Sequence, residues 1–162
     1  MRIRPANLRC LADDPSRLLV TTHDISDYRA WIGREVAADD VVHPGPVGRL
    51  SATLDRDDPP PKPGDALPPG WHWLYFLVAT PAARLSEDGH TVRGDFLPPL
   101  PDARRMWAGG SIALRAPLRI GDAVRRTSRV TGIVPKEGRS GRLVFVTIEH
   151  QIDGPAGAAV RE

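Results

Sequence analysis

Residues 111–152 read SIALRAPLRIGDAVRRTSRVTGIVPKEGRSGRLVFVTIEHQI, and the period of their apolar residues decides the fold class. Ile112, Leu114 and Leu118 alternate with Ser111, Ala113 and Arg115, which predicts a strand over 111–118 followed by the turn Arg119-Ile120-Gly121-Asp122. Residues 124–134 alternate less cleanly, with Arg125, Thr127, Arg129 and Thr131 on one face. Beyond the turn at 135–141, Val144, Val146, Ile148 and Ile152 share one side of the clearest strand of the chain, and His150 is in phase with them. Three successive strands joined by short turns make an antiparallel meander.

Upstream the period changes. Asp24 is a suitable N-cap, and Ile25, Tyr28, Trp31 and Ile32 recur at helical spacing before Gly33, predicting a short amphipathic helix. A second helix is expected from Pro44-Gly45-Pro46 through Val47, Leu50 and Leu54, short and buried, with Asp57-Asp58-Pro59 as its stop. Residues 55–70, DRDDPPPKPGDALPPG, are too rich in proline to pair in a ladder and read as a loop. WHWLYFLV at 71–78 reads as a strand with Trp71, Trp73 and Tyr75 on one face and His72, Leu74 and Phe76 on the other. Helix first and sheet after, with no βαβ alternation, gives an α+β class and disfavours a doubly wound nucleotide fold.

The 162 residues fit one domain, assigned to 24–162, preceded by a poorly patterned extension over 1–23. After Ile152 the run Asp153–Gly157 is a turn, which leaves only Ala158–Glu162 for a further strand, read as truncated. Cys10 is the single cysteine, so neither an intrachain disulfide nor a cysteine-based zinc site is available. No apolar run is long enough to cross a bilayer as a helix and no secretory signal is recognisable, so a cytoplasmic location is expected, with no membrane partner. The formal net charge is +2, yet residues 104–142 hold ten basic and two acidic side chains. Such a segment faces either solvent or a polyanion. Nucleic acid is disfavoured, because interleaved aromatics and groove-reading motifs are lacking.

Gly-rich phosphate loops, zinc-spaced histidines and nucleophile elbows are all absent from the sequence. Among the five histidines, His72, between two tryptophans, is the best candidate for a pocket wall, and His150 reads as a core or strand-edge histidine.

Three stretches together carry a resemblance: DRDDPPPKPGDALPPGWHWLYF at 55–76, FLPPLPDARRMWAGGSI at 96–112, and the strands from Ala116 to Ile152. They resemble the N-terminal hot-dog domain of the MaoC-like dehydratases, of the mesaconyl-CoA or itaconyl-CoA hydratase and hydroxyacyl-thioester dehydratase type. The resemblance implies a hot-dog fold, an antiparallel sheet wrapped around a central helix, and hydration of a 2-enoyl thioester or dehydration of a 3-hydroxyacyl thioester. It implies no cofactor and no metal, with a short or branched acyl-coenzyme A or acyl-carrier-protein thioester as substrate. Relatives of this kind carry their Asp/His hydratase motif in a second hot-dog domain. The matching loop here, Leu54–Lys62, has proline and lysine where the histidine would stand, so no catalytic residue is carried over. The implied role is a substrate-shaping half acting as a homo-oligomer or with a second catalytic hot-dog subunit. The alternative is a non-catalytic module binding acyl-coenzyme A or a protein. On this reading Trp71, His72, Trp73, Met106, Trp107, Gly109 and Gly110 shape the acyl pocket, while Arg104, Arg105, Arg125, Arg126 and Arg129 meet phosphate or a carrier protein.

Overall fold

The computed structural model describes residues 25–86, 89–91, 94–100, 105–138 and 141–162; the predicted extension at 1–23 and Arg104 lie outside them. A five-stranded antiparallel sheet in the order β1-β3-β4-β5-β2 forms the body. Its strands are β1 (Glu35–Val41), β2 (Ala113–Leu114), β3 (Ala123–Gly138), β4 (Gly141–Gly154) and β5 (Gly157–Arg161). One α-helix, α1 (Pro44–Thr53), and a 3-10 helix at Ile25–Trp31 accompany it. This α+β arrangement is consistent with a hot-dog fold. Among the described residues no helix is long and apolar enough to cross a membrane.

β3 and β4 form the expected hairpin, longer than the alternation predicted. Their register slips between Val130 and Gly132, leaving Thr131 as an extra residue, which explains the imperfect alternation of 124–134. Pro135 is accommodated because β1 begins at Glu35, opposite Arg129, so among the described residues β3 has no ladder partner on that side at Pro135. β5 forms as a short strand between β4 and β2.

Four expectations change. β1, EVAADDV, has no clear apolar alternation and was not predicted; its carboxylates are answered across the sheet, Asp39 by the directly opposite Arg125 and Glu35 by the directly opposite Arg129. The strand expected over 111–118 shrinks to β2, because the N–H groups of Arg115 and Ala116 both turn onto the carbonyl of Ala159 and Pro117 follows. The loop 55–70 does pair locally: Gly64 donates to Ile120, Ile120 to Asp65, and Leu67 to Leu118, at non-proline positions. Residues 71–78 are not a strand. Gly70, at φ +84°, turns the chain into a 3-10 helix at Trp71–Leu74, which buries His72, Tyr75 and Phe76 and exposes Trp73, Leu77 and Val78.

α1 starts with Pro44 at its first turn, as expected, but only Val47 and Ser51, one turn apart on one face, are buried. Val47 joins the main core of Val42, Leu67, Tyr75, Phe76, Val124, Ile152 and Val160. A second cluster of Tyr28, Val130 and Ile133 sits further along the sheet under the 3-10 helix. The Tyr75 hydroxyl donates to the carbonyl of His43 at 2.6 Å, tying the 71–76 segment to the start of α1. Tyr75→Phe is expected to lower unfolding stability by about 1 kcal/mol, measured by denaturant titration.

Candidate functional site

On the sheet face that carries both clusters, the side chains of β3 and β4 are not uniformly apolar. Val124, Arg126, Ser128 and Val130 point to this face, as do Ile148, His150 and Ile152. Ser128 stands opposite His150, which in turn stands opposite Glu162 just past β5, with reciprocal backbone hydrogen bonds between His150 and Glu162 at 2.9 Å. A polar band therefore separates the Val124/Ile152/Val160 core from the Val130/Ile133 cluster.

The band is closed from above by the 71–74 turn. His72, 4% exposed, places Nε2 3.3 Å from Oε2 of Glu162. The indole N–H of Trp73 donates to the same oxygen at 2.8 Å. His150 Nδ1 is 2.7 Å from the buried hydroxyl of Ser128. Burial, and then the positive charge of Arg126, hold the His150 imidazole below its ordinary range; His72 acts in the same direction and Glu162 against it. The folded state therefore resists the proton that the unfolded chain accepts at about pH 6.5. Stability falls as pH drops from that value toward the lower folded one and is regained above it. His150→Asn is expected to flatten this dependence in thermal melts taken between pH 7.5 and pH 5, roughly the range in which imidazoles titrate.

His72 also opens on a cleft of about 340 Å³ between the 66–70 segment and the chain at 114–118. Leu67, Pro68, Ala116 and Val160 make its wall apolar. The result is a small greasy slot with a buried imidazole at its side and a carboxylate behind that imidazole. Such a pair can orient a ring and hold a hydrogen bond toward a polar atom in an otherwise apolar ligand.

The remaining predicted residues are spread out. Trp71 is half-buried and packs on the main core, with the Arg56 guanidinium over its ring. Trp73 is 59% exposed and contributes its N–H to Glu162. Met106 and Trp107 are 83% and 81% exposed and do not line the cleft, nor do Gly109 and Gly110. Gly109 holds φ +152°, while Gly110 lies beside the Trp107 ring. Arg105 donates to the carbonyl of Thr91. The arginines of β3 do not form one patch: Arg125 and Arg129 project outward to β1, and Arg126 projects inward. Among the described residues no group of three or more His, Cys, Asp or Glu stands close enough to hold a metal. Glu162 was missed by sequence reading. Its signal was parity, since it is in phase with the buried Val160.

The sequence pattern of the family described as hydroxyacyl-thioester dehydratase type 2 matches residues 70–162, a span that includes His72, Arg126, His150 and Glu162. The chain is 45% identical over 127 residues to mesaconyl-C(4)-CoA hydratase of Chloroflexus aurantiacus, an overlap of 78% of this chain and 45% of that protein. The chain thus spans less than half the length of the curated relative it matches.

Proposed function

The chain belongs to the hydroxyacyl-thioester dehydratase type 2 family, and from that premise we propose that it is the substrate-shaping half of an enoyl-thioester hydratase or 3-hydroxyacyl-thioester dehydratase. In this hot-dog half the sheet presents the acyl cleft, and a second hot-dog subunit, identical or distinct, brings the acid and base. The substrate is a short or branched acyl thioester of coenzyme A or of a carrier protein, and the reaction needs no further cofactor.

The observation that carries the reading is the apolar cleft with His72 at its side, buttressed by Glu162. A hydro-lyase needs a base to activate water, an acid for the α-carbon and donors for the developing enolate oxygen. The cleft offers an acyl-sized space and a hydrogen-bonding imidazole. The loop after α1 offers no such acid or base at its hydrogen-bonded carboxylate. Its Asp58 accepts from the Ser51 hydroxyl at 2.9 Å and from Arg56 at 2.6 and 3.0 Å, and Arg56 and Ser51 hold that carboxyl below its ordinary range. A carboxylate so engaged is a weak base with no proton to give. The exposed Leu77, Val78, Met106 and Trp107 favour a partner chain over an isolated protomer.

Crotonyl-CoA is the probe. The full chain is expected to bind it, read by quenching of tryptophan fluorescence, without loss of enoyl absorbance when no other protein is present. Absence of binding would overturn the thioester reading, and hydration by this chain alone would overturn the assignment of a non-catalytic half.

A further inference from the structure

The wall of the cleft is apolar but for two side chains, His72 and Arg115, and Arg115 is exposed to solvent. His72 is therefore the one buried polar side chain bordering this space among the described residues. Which of its two ring nitrogens carries a proton decides what the cleft can recognise, because a protonated nitrogen donates and a bare one accepts.

At Nε2 the choice is made by Glu162. Its Oε2 lies 3.3 Å from Nε2 and also accepts the Trp73 indole N–H at 2.8 Å. A carboxylate has only lone pairs to offer, so Nε2 bears the proton that points to it. The Trp73 ring stands edge-on to the imidazole, with centroids 5.8 Å apart, and hinders its rotation. Glu162 does not border the cleft, so Nε2 is directed away from that space. Nδ1 is hydrogen-bonded to none of the described residues, and in the tautomer that Glu162 selects it is a bare lone pair.

We infer that Glu162 is a positioning residue that sets the hydrogen-bond polarity of the cleft: it holds His72 with Nδ1 as an acceptor, so that the acyl chain is read through a donor, a hydroxyl. The inference rests on the thioester reading above and adds which side of the reaction this half holds, the hydrated one. An enoyl or saturated chain brings no donor to Nδ1, and a keto group at the same carbon would set one lone pair against another. The amide N–H groups of the pantetheine arm are common to all these thioesters and do not discriminate among them. His72 held in this way is not the donor for the enolate oxygen, which leaves that task to the second subunit.

The test is calorimetric titration of the full chain with 3-hydroxybutyryl-CoA, butyryl-CoA and acetoacetyl-CoA, which share a chain length and differ only at carbon 3. Wild type is expected to bind the hydroxyl ligand about threefold to tenfold tighter than butyryl-CoA, the size of one neutral hydrogen bond, and the keto ligand no tighter than butyryl-CoA. Glu162→Gln, which keeps an accepting oxygen, should retain part of this order. Glu162→Leu, which frees the ring to take either tautomer, should erase the difference between the hydroxyl and keto ligands. Nitrogen-15 NMR of the ligand-free chain reads the tautomer directly, with Nε2 protonated and Nδ1 bare in wild type, the His72 signals being identified by their loss in His72→Phe. Thermal melts establish that each variant is folded; if Glu162→Leu is not, Glu162→Gln and the NMR reading carry the test. Equal affinity of wild type for the hydroxyl and keto ligands, a preference for the keto ligand, or a protonated Nδ1 overturns the inference. So does equal weakening of all three ligands by Glu162→Leu, the mark of a merely structural role. If wild type binds none of the three, the thioester reading itself fails, an outcome separate from binding without discrimination.

Discussion

Ile152→Ala is expected to lower unfolding stability by about 2–5 kcal/mol, and the melting temperature by roughly 5–20 °C for a chain of this size. Ile152 is 2% exposed and sits in mid-strand, opposite Arg126 on one side and Val160 on the other. The sheet cannot close around the lost methyl groups, because β3 and β5 are fixed to β4 by backbone hydrogen bonds. The denaturant midpoint should fall with an unchanged slope. A loss below about 1 kcal/mol would mean that the main core is already loose at its centre.

The second large effect concerns Phe76, which is buried in the main core yet holds φ +60°. The Asp40 carboxylate secures this left-handed backbone by accepting the Phe76 N–H at 2.7 Å. Phe76→Ala should cost about 3–5 kcal/mol through lost packing. Phe76→Gly removes one carbon more but relieves the left-handed strain, worth about 1–2 kcal/mol for a non-glycine residue. The glycine variant is therefore expected to be no less stable than the alanine variant, the reverse of the order found at ordinary backbone positions. Parallel urea titrations decide it. A glycine variant clearly weaker than alanine would show that the backbone at 76 is unstrained.

What could be read from the sequence was what is encoded locally. α1 was legible because Pro44 marks its start, although of the apolar residues Val47, Leu50 and Leu54 that outline it only Val47 is buried and Leu54 is exposed. The β3–β4 hairpin was legible because Val144, Val146, Ile148 and Ile152 alternate cleanly. β1 was illegible because the partners that make a strand of EVAADDV are arginines some 90 positions away, as the 86-residue separation of Asp39 and Arg125 illustrates. The 71–76 segment has the composition of a strand, and the turn at Gly70 together with the anchors at His43 and Asp40 overrode it. The same limit governs the site. His72 was singled out by its setting, whereas its carboxylate partner arrives from 90 residues away through the pairing of β4 with β5. Arg125, Arg126 and Arg129 looked like one basic group until strand parity sorted them onto opposite faces.

The extra residue at Thr131 acts as a phase shifter in the long hairpin. Val130 and Ile133 are both buried although three positions apart, and Val134 is turned out. Deleting Thr131 would restore strict two-residue counting with Val130 still opposite Ile148, Gly132 opposite Thr147 and Ile133 opposite Val146, so Ile133 would stay inward and Val134 outward. A deletion of one residue elsewhere in β3 would instead exchange the faces of everything between it and the bulge. Homologous chains one residue shorter in β3 should therefore lack the residue at this point, which makes the bulge a slack link that can be lost while both arms of the hairpin keep their frame.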